Sequence, residues 1–136
     1  MIVFDASVVV SAALKMEGML EQALLRAEEM DALALSAAVD AEIAAVLRRP
    51  RFACAIQPER HELILTVLRD EAVWFEPSVR VTECRDPKDD MYLELALAAG
   101  AEIIVGSDDD LIVLHPWRGV RILRPADCLS LTHPGT

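Results

Sequence analysis

Short apolar runs alternate with longer segments of helical periodicity along most of the chain. The runs are rich in β-branched and aliphatic residues and predict strands, whereas the longer segments carry apolar residues three and four positions apart. The predicted strands cover residues 2–4, 32–35, 72–75, 102–105 and 119–123. The predicted helices cover residues 19–30, 37–47, 58–70 and 87–99, followed by a short helical turn from Asp109. Strands that alternate with helices typically form a parallel sheet, so the pattern predicts an α/β fold.

The length and composition predict one domain. The chain has 136 residues and no shift in composition that would divide it. We expect a single domain over residues 1–130 and a loose tail over residues 131–136, because the last residues, THPGT, are polar and contain Pro and Gly. Charged residues interrupt the longest apolar stretch, so no membrane span is expected. A start without a basic segment and three cysteines without a C-x-x-C pair indicate a cytoplasmic protein with free thiols.

The net charge limits the kinds of partner that the protein can bind. A formal charge of −10 argues against general electrostatic affinity for nucleic acid, so any contact with a polyanion has to be local. The densest basic group is LRRPRF, with Arg48, Arg49 and Arg51. Basic side chains are stabilised near a helix C-terminus, which gives this group a structural explanation, and phosphate contact is the alternative.

Two aspartates stand where predicted strands end. Asp5 directly follows residues 2–4, and Asp108 follows residues 102–105. The carboxyl ends of parallel strands meet at one edge of a sheet, where ligands bind in α/β proteins. An aspartate after a strand also commonly caps the next helix, so these positions alone leave both roles open.

Two further carboxylates fall on apolar stripes of predicted helices. Glu42 lies within the stripe of residues 39–47, and Asp89 lies where the stripe of residues 87–99 reaches the helix start. Asp86 reads as the cap of that helix, which also gives Asp89 a structural explanation. Asp90 falls on the flank and is expected to face solvent. A carboxylate on a buried stripe needs a cation or hydrogen bonds unless its side chain reaches water.

Four carboxylates from four elements could therefore share one site. Several carboxylates held close together stay ionised only if a cation lies among them, and oxygen ligands suit Mg²⁺ or Mn²⁺. Such an ion activates a bound water and offsets the charge that develops on a phosphodiester during hydrolysis. The four residues are Asp5, Glu42, Asp89 and Asp108.

With these residues in place, the sequence resembles the PIN-domain nucleases, and within them the toxin components of bacterial toxin–antitoxin systems. The resemblance is carried by IVFDASVVVSAAL, LSAAVDAEIAAVLRRPRF and CRDPKDDMYLELALAAGAEIIVGSDDDLIVL, which together span most of the chain. Asp5, Glu42 and Asp89 match the three acids that define the PIN site. Asp108 matches a fourth, less uniform acid, and Asp110 matches an accessory acid.

The resemblance implies a three-layer α/β/α fold with a five-stranded parallel sheet. It implies an Mg²⁺- or Mn²⁺-dependent endoribonuclease, with the metal and the catalytic chemistry assigned to the four matched acids. It further implies an RNA substrate, a homodimer and inhibition by an antitoxin protein. Under this hypothesis Arg48, Arg49 and Arg51 guide the RNA strand.

One position departs from the family pattern. The family usually has Thr or Ser where this chain has Gly106, although Ser107 could supply a hydroxyl one place later. Ser7 agrees with the Asn or Ser that often stands two residues after the first acid. The missing hydroxyl at position 106 leaves weakened activity or altered metal binding open.

Other classes of protein fit less well. A phospho-acceptor receiver domain needs paired acids after the first strand and a lysine near the last, but Asp5 is unaccompanied and the lysines are Lys15 and Lys88. A haloacid-dehalogenase-type phosphatase needs Asp-x-Asp, and Ser7 occupies the second place. The remaining alternative is a PIN-like binding or regulatory module with weak or no catalysis. The acidic charge and Gly106 favour this alternative, whereas the four acids argue against it.

Overall fold

The computed structural model describes residues 1–14, 32–50, 54 and 58–127 of the chain. Within these ranges strands and helices alternate, as the hydrophobic pattern predicts. In chain order the elements are β1 (Ile2–Phe4), α1 (Ala6–Leu14), β2 (Ala34–Leu35), α2 (Ala37–Leu47), α3 (Pro58–Glu71), β3 (Val73–Trp74), α4 (Asp90–Ala99), β4 (Ile103–Val105), α5 (Asp109–Ile112) and β5 (Arg121–Leu123). The predicted helix over residues 19–30 and the predicted tail over residues 131–136 lie outside the described residues.

The strands form parallel pairs, which confirms the α/β class. β4 lies between β1 and β5 in a three-stranded sheet, and β2 pairs with β3 in a second sheet. An isolated parallel bridge between Ile2 and Leu33 joins the sheets, and the Ile2 N–H donates to the Ala32 carbonyl at 3.0 Å. The prediction of a single five-stranded sheet is therefore wrong for the described strands. β2 and β3 have only two residues each, and among the described residues the pairing between β1 and the β2 segment does not extend beyond the bridge between Ile2 and Leu33.

The structure contains a helix, α1, that the hydrophobic pattern does not predict. Its residues read ASVVVSAAL, a run in which apolar side chains occupy most positions. Val8, Val9 and Val10 are all buried, so this helix is apolar on several faces at once. A helix that is covered on several sides loses the spacing of three and four that marks an amphipathic helix.

Helix α4 begins after a turn of 3-10 helix, Pro87–Asp89, and ends at Gly100. The Asp86 carboxylate caps this start by accepting from the Lys88 N–H at 3.0 Å. Gly100 has a φ of 62°, a left-handed conformation that commonly ends helices and that a residue without a Cβ adopts most easily. α4 packs on β1, β2 and β4. As the helix that leads into a parallel strand, it starts at the edge where the strands end.

The core is formed by side chains of the strands and of α1, α2 and α4. Its fully buried members include Val3, Val9, Leu93 and Ile104. α1 packs on α2, and both of these helices contact α3. Within the described part of the chain, no helix combines the length and the apolar character that a membrane crossing requires.

Candidate metal centre

Asp5 is the first residue after β1 and is only 2% exposed. Its Oδ1 accepts from the Val8 N–H at 2.9 Å and from the Ser7 hydroxyl at 3.2 Å, whereas its Oδ2 accepts from the Ser107 N–H at 3.3 Å. Burial raises the pKa of Asp5 from 3.8 to about 6; the hydrogen bonds oppose this rise, and the charge of Asp108 adds to it. Asp5 therefore caps α1 and also presents a carboxylate at the edge where β1 ends.

Three half-buried aspartates form a compact group at the same edge. Asp86 and Asp89 lie at the start of α4, and Asp110 lies in the first turn of α5. One carboxylate oxygen of each lies within 4.8 Å of the others. The Oδ2 atom of Asp89 is buried and has no hydrogen-bond partner among the described residues. The sequence analysis did not predict Asp86 as a metal ligand, because its place before Pro87 already explains it as a helix cap.

The pKa of Asp89 is raised from 3.8 to about 7. Burial is the main cause, and it is followed by the negative charges of Asp108, Asp86, Asp5 and Asp110. Asp108 itself caps α5 by accepting from the Asp110 N–H at 2.8 Å. Carboxylates that act on one another in this way favour protonation unless a cation lies among them.

Glu42 is outside the group of three aspartates that lie within 4.8 Å of one another, as are Asp5 and Asp108. The Glu42 carboxylate is 3.8 Å from the guanidinium of Arg49, in the same segment of chain. Burial is the main cause that raises the pKa of the Tyr92 phenol, and the charges of Asp5, Glu42 and Asp89 add to it. The charge of Glu42 on α2 and the charges of Asp5 and Asp89 at the sheet edge therefore all act on the buried Tyr92 phenol.

Asp90 is part of the support for the site. The prediction that it faces solvent is wrong, because Asp90 is 8% exposed and its Oδ1 accepts from the Cys84 N–H at 2.9 Å. One turn later, Glu94 accepts from the Val81 N–H at 2.9 Å. The segment that precedes α4 therefore lies along the helix and covers Asp90.

The PIN-domain family model matches residues 1–110 of the chain. The chain belongs to the PIN-domain family. A search among curated proteins finds no match. The matched range contains all of the acids described above and ends at Asp110, within α5. PIN domains are in general metal-dependent nucleases, so family membership and the acidic group together indicate nuclease chemistry.

The acids of this PIN domain fit a divalent metal ion. A buried carboxylate oxygen without a hydrogen bond, as at Asp89, is costly unless a cation contacts it. Among the described residues, the group of acids that lie close together includes no cysteine or histidine, and in the metal-free protein burial and a hydrogen bond to Asp90 raise the pKa of the neighbouring Cys84 thiol to about 12. The available donors are therefore carboxylate oxygens, which suit hard ions such as Mg²⁺ and Mn²⁺.

Two exposed arginines lie at the acidic edge of the PIN domain. The Nη2 atom of Arg85 is 3.0 Å from Oδ1 of Asp110, and the Nη2 atom of Arg124 is 2.7 Å from Oδ1 of Asp109. Neither arginine was among the residues expected to contact RNA. The position of Arg85 directly before Asp86 is the one sequence feature that could have indicated its place.

The arginines that were expected to contact RNA lie around the end of α2. Arg48 and Arg49 are exposed, and Arg51 lies outside the described residues. Arg49 is the ion-pair partner of Glu42. Among the described residues, the arginine that forms an ion pair with the group of three aspartates is Arg85, which precedes α4.

Proposed function

We propose that this PIN domain is an Mg²⁺- or Mn²⁺-dependent endoribonuclease that hydrolyses RNA phosphodiester bonds. The observation that carries the proposal is the buried, unpartnered Oδ2 of Asp89 within the group of Asp86, Asp89 and Asp110. The charges of Asp5 and Asp108 act on the same carboxyl group. Crowded carboxylates around an unpaired oxygen fit a bound cation better than they fit a solvated turn.

Several acids have roles in this proposal. The residues proposed to hold the ion, directly or through water, are Asp5, Asp89 and Asp108, with Asp86 and Asp110 beside them. A bound ion supplies the chemistry of lowering the pKa of water and offsetting charge on the phosphorus oxygens. Glu42 completes the ligand set or orients the attacking water, as its match to the second family acid suggests.

Two of these acids can exchange protons near neutral pH. Without metal, the pKa of Asp5 is raised to about 6 and that of Asp89 to about 7, in both cases mainly by burial. In the metal-free protein both carboxyl groups therefore bind protons close to neutral pH, and metal binding would release these protons. A cation at the group favours the ionised form of both residues.

RNA is the proposed substrate because the sequence resembles the toxin ribonucleases. With a formal net charge of −10, affinity for RNA depends on local positive charge. Candidate phosphate contacts are Arg85 and Arg124 at the acidic edge, and Arg48, Arg49 and Arg51 near α2. The same resemblance supports a toxin that forms a homodimer and is inhibited by an antitoxin protein, and the three cysteines without a C-x-x-C pair support a cytoplasmic location.

RNA cleavage by the purified protein in the presence of Mn²⁺ or Mg²⁺ tests the proposal. We expect wild type to cleave single-stranded RNA and EDTA to abolish cleavage. Asp89→Asn removes the charge of the unpartnered carboxylate and is expected to reduce the rate on the order of a hundredfold. Asp70→Asn, which changes an exposed acid in α3, serves as the matched control and is expected to keep the wild-type rate.

Two results would refute the ribonuclease proposal: an inert wild type with both ions, or an Asp89→Asn variant as active as wild type. RNA binding without cleavage would instead support the second candidate function, a PIN-like binding or regulatory module. The observation that favours this candidate is the Arg85–Asp110 ion pair, in which a cation of the protein itself already contacts the acidic group.

A further inference from the structure

Gly106 lies against the carboxylate of Asp5. It is the buried residue that follows β4, and its N–H donates to the Leu123 carbonyl at 2.9 Å. A Cβ at position 106 would lie 2.9 Å from Oδ2 of Asp5, 3.5 Å from its Cγ and 3.5 Å from Cδ1 of Leu111. The first of these distances is shorter than real Cβ contacts allow. A side chain at position 106 therefore requires Asp5 to move.

Asp5 has little freedom to move. Its two carboxylate oxygens accept from the Val8 N–H, the Ser7 hydroxyl and the Ser107 N–H. The Ser107 bond goes to Oδ2, the same atom that a Cβ at position 106 would displace. A shift of this short, buried side chain would therefore lose that bond and turn the carboxylate relative to the other acids.

We propose that Gly106 is a positioning residue. Because it has no side chain, the Asp5 carboxylate can accept the hydrogen bond of the Ser107 N–H and stay directed to the acidic edge. The family usually has Thr or Ser at this position, and the missing hydroxyl would suggest a weakened site. The geometry leads to the opposite expectation: a family-like side chain at 106 disturbs Asp5 in this chain. The hydrogen bond of Ser107 to Asp5 comes from its backbone N–H, so this contact does not require the Ser107 hydroxyl.

The steric part of the proposal does not depend on metal, and a double-mutant cycle in EDTA tests it. Gly106→Ala is expected to lower the midpoint of urea denaturation in wild type. The same substitution is expected to cost little in an Asp5→Ser background, because the serine Oγ takes the Cγ position, 3.5 Å from the added Cβ. Serine also keeps a capping oxygen for α1. Should Gly106→Ala fail to fold alone, recovery of folding in the double variant would support the proposal.

The functional part rests on the proposed metal site, and titration calorimetry with Mn²⁺ tests it. Gly106→Ala and Gly106→Thr are expected to bind Mn²⁺ on the order of tenfold more weakly than wild type, as for loss of a group that orients a ligand. Ser107→Ala keeps the backbone N–H and is expected to keep the affinity of wild type. This contrast separates the backbone contact from a role of the serine hydroxyl.

Different results overturn the two proposals. Equal costs of Gly106→Ala in both backgrounds, or no cost in either, would show that Gly106 does not position Asp5. Tighter Mn²⁺ binding by Gly106→Thr would show that the site lacks a hydroxyl at position 106, and weaker binding by Ser107→Ala alone would show that the Ser107 hydroxyl supplies one; either result would overturn the positioning role of Gly106. If wild type binds no Mn²⁺, the proposed nuclease function fails, and the denaturation cycle still decides whether Gly106 positions Asp5.

Discussion

At the scale of single residues, Asp5 and Asp89 couple proton binding to folding. Burial is the main cause of the raised pKa in both, but Asp5 also receives hydrogen bonds that oppose the rise, whereas Asp89 faces four other negative charges. Both pKa values lie above the ordinary 3.8 of an aspartate, so the folded state binds these protons more tightly than the unfolded chain does. The stability that they contribute is fully present below about pH 4 and is lost as the pH rises through 6 and 7.

We expect the melting temperature of the metal-free protein to fall between pH 5 and pH 8 because of these two groups. Asp89→Asn is neutral at every pH, so its stability relative to wild type is expected to increase over the same interval. Thermal denaturation in EDTA measures both curves. A difference between the two proteins that stays constant with pH would contradict the raised pKa of Asp89.

At the scale of elements, the start of α4 supports the site through the segment that precedes it. Asp90 and Glu94 accept backbone hydrogen bonds from Cys84 and Val81, so the helix holds the chain just before Arg85 and Asp86. The 3-10 turn then presents Asp89, while the left-handed Gly100 ends the helix and directs the chain into β4. The group of three aspartates therefore depends on side chains that do not belong to it.

We expect Asp90→Ala to reduce the free energy of unfolding by about 1–3 kcal/mol, because the Cys84 N–H loses its acceptor. The variant is also expected to bind Mn²⁺ more weakly, since Asp86 follows that segment. Urea denaturation and titration calorimetry give the two quantities. Asp90→Asn keeps an acceptor oxygen and should retain most of the stability, and Glu71→Ala changes an exposed acid at the end of α3. Equal losses in all three variants would exclude a specific role of Asp90.

At the scale of the whole molecule, the acidic edge joins segments that are far apart in the chain. Asp5 follows the first strand, Asp86 and Asp89 start α4, and Asp110 belongs to α5. Only the folded chain brings these carboxylates together, so a divalent ion that binds them stabilises the entire fold by mass action. The formal net charge of −10 adds self-repulsion that such an ion partly offsets.

We expect millimolar Mn²⁺ to raise the melting temperature by several degrees at pH 7.5, since an ion at about a hundred times its dissociation constant adds about 3 kcal/mol. Asp89→Asn should lose most of this increase. NaCl at matched ionic strength controls for general screening. An increase of the same size with NaCl, or an undiminished increase in Asp89→Asn, would argue against ion binding at the acidic group.

Local patterns determined much of the fold. The periodicity of α2 and the apolar runs of β1 and β4 depend on residues close in sequence, so these elements lie where the sequence predicts them, with bounds that differ by at most one residue. Membership of the PIN-domain family and the α/β class likewise follow from sequence. Helix α1 escaped prediction because its valines are covered on several sides, which removes the periodicity.

Tertiary structure decided the arrangement of the site. The burial of Asp90 and the approach of Asp110 to Asp86 and Asp89 depend on which segments fold against one another. The division into two sheets is likewise a tertiary property, because it depends on how many residues next to β2 pair with β1, and among the described residues only the bridge between Ile2 and Leu33 forms. The sequence by itself determined which acids and elements the protein has, because both are local properties. The close contact of Gly106 with Asp5 was decided only by tertiary structure, because it joins residues that are distant in the chain.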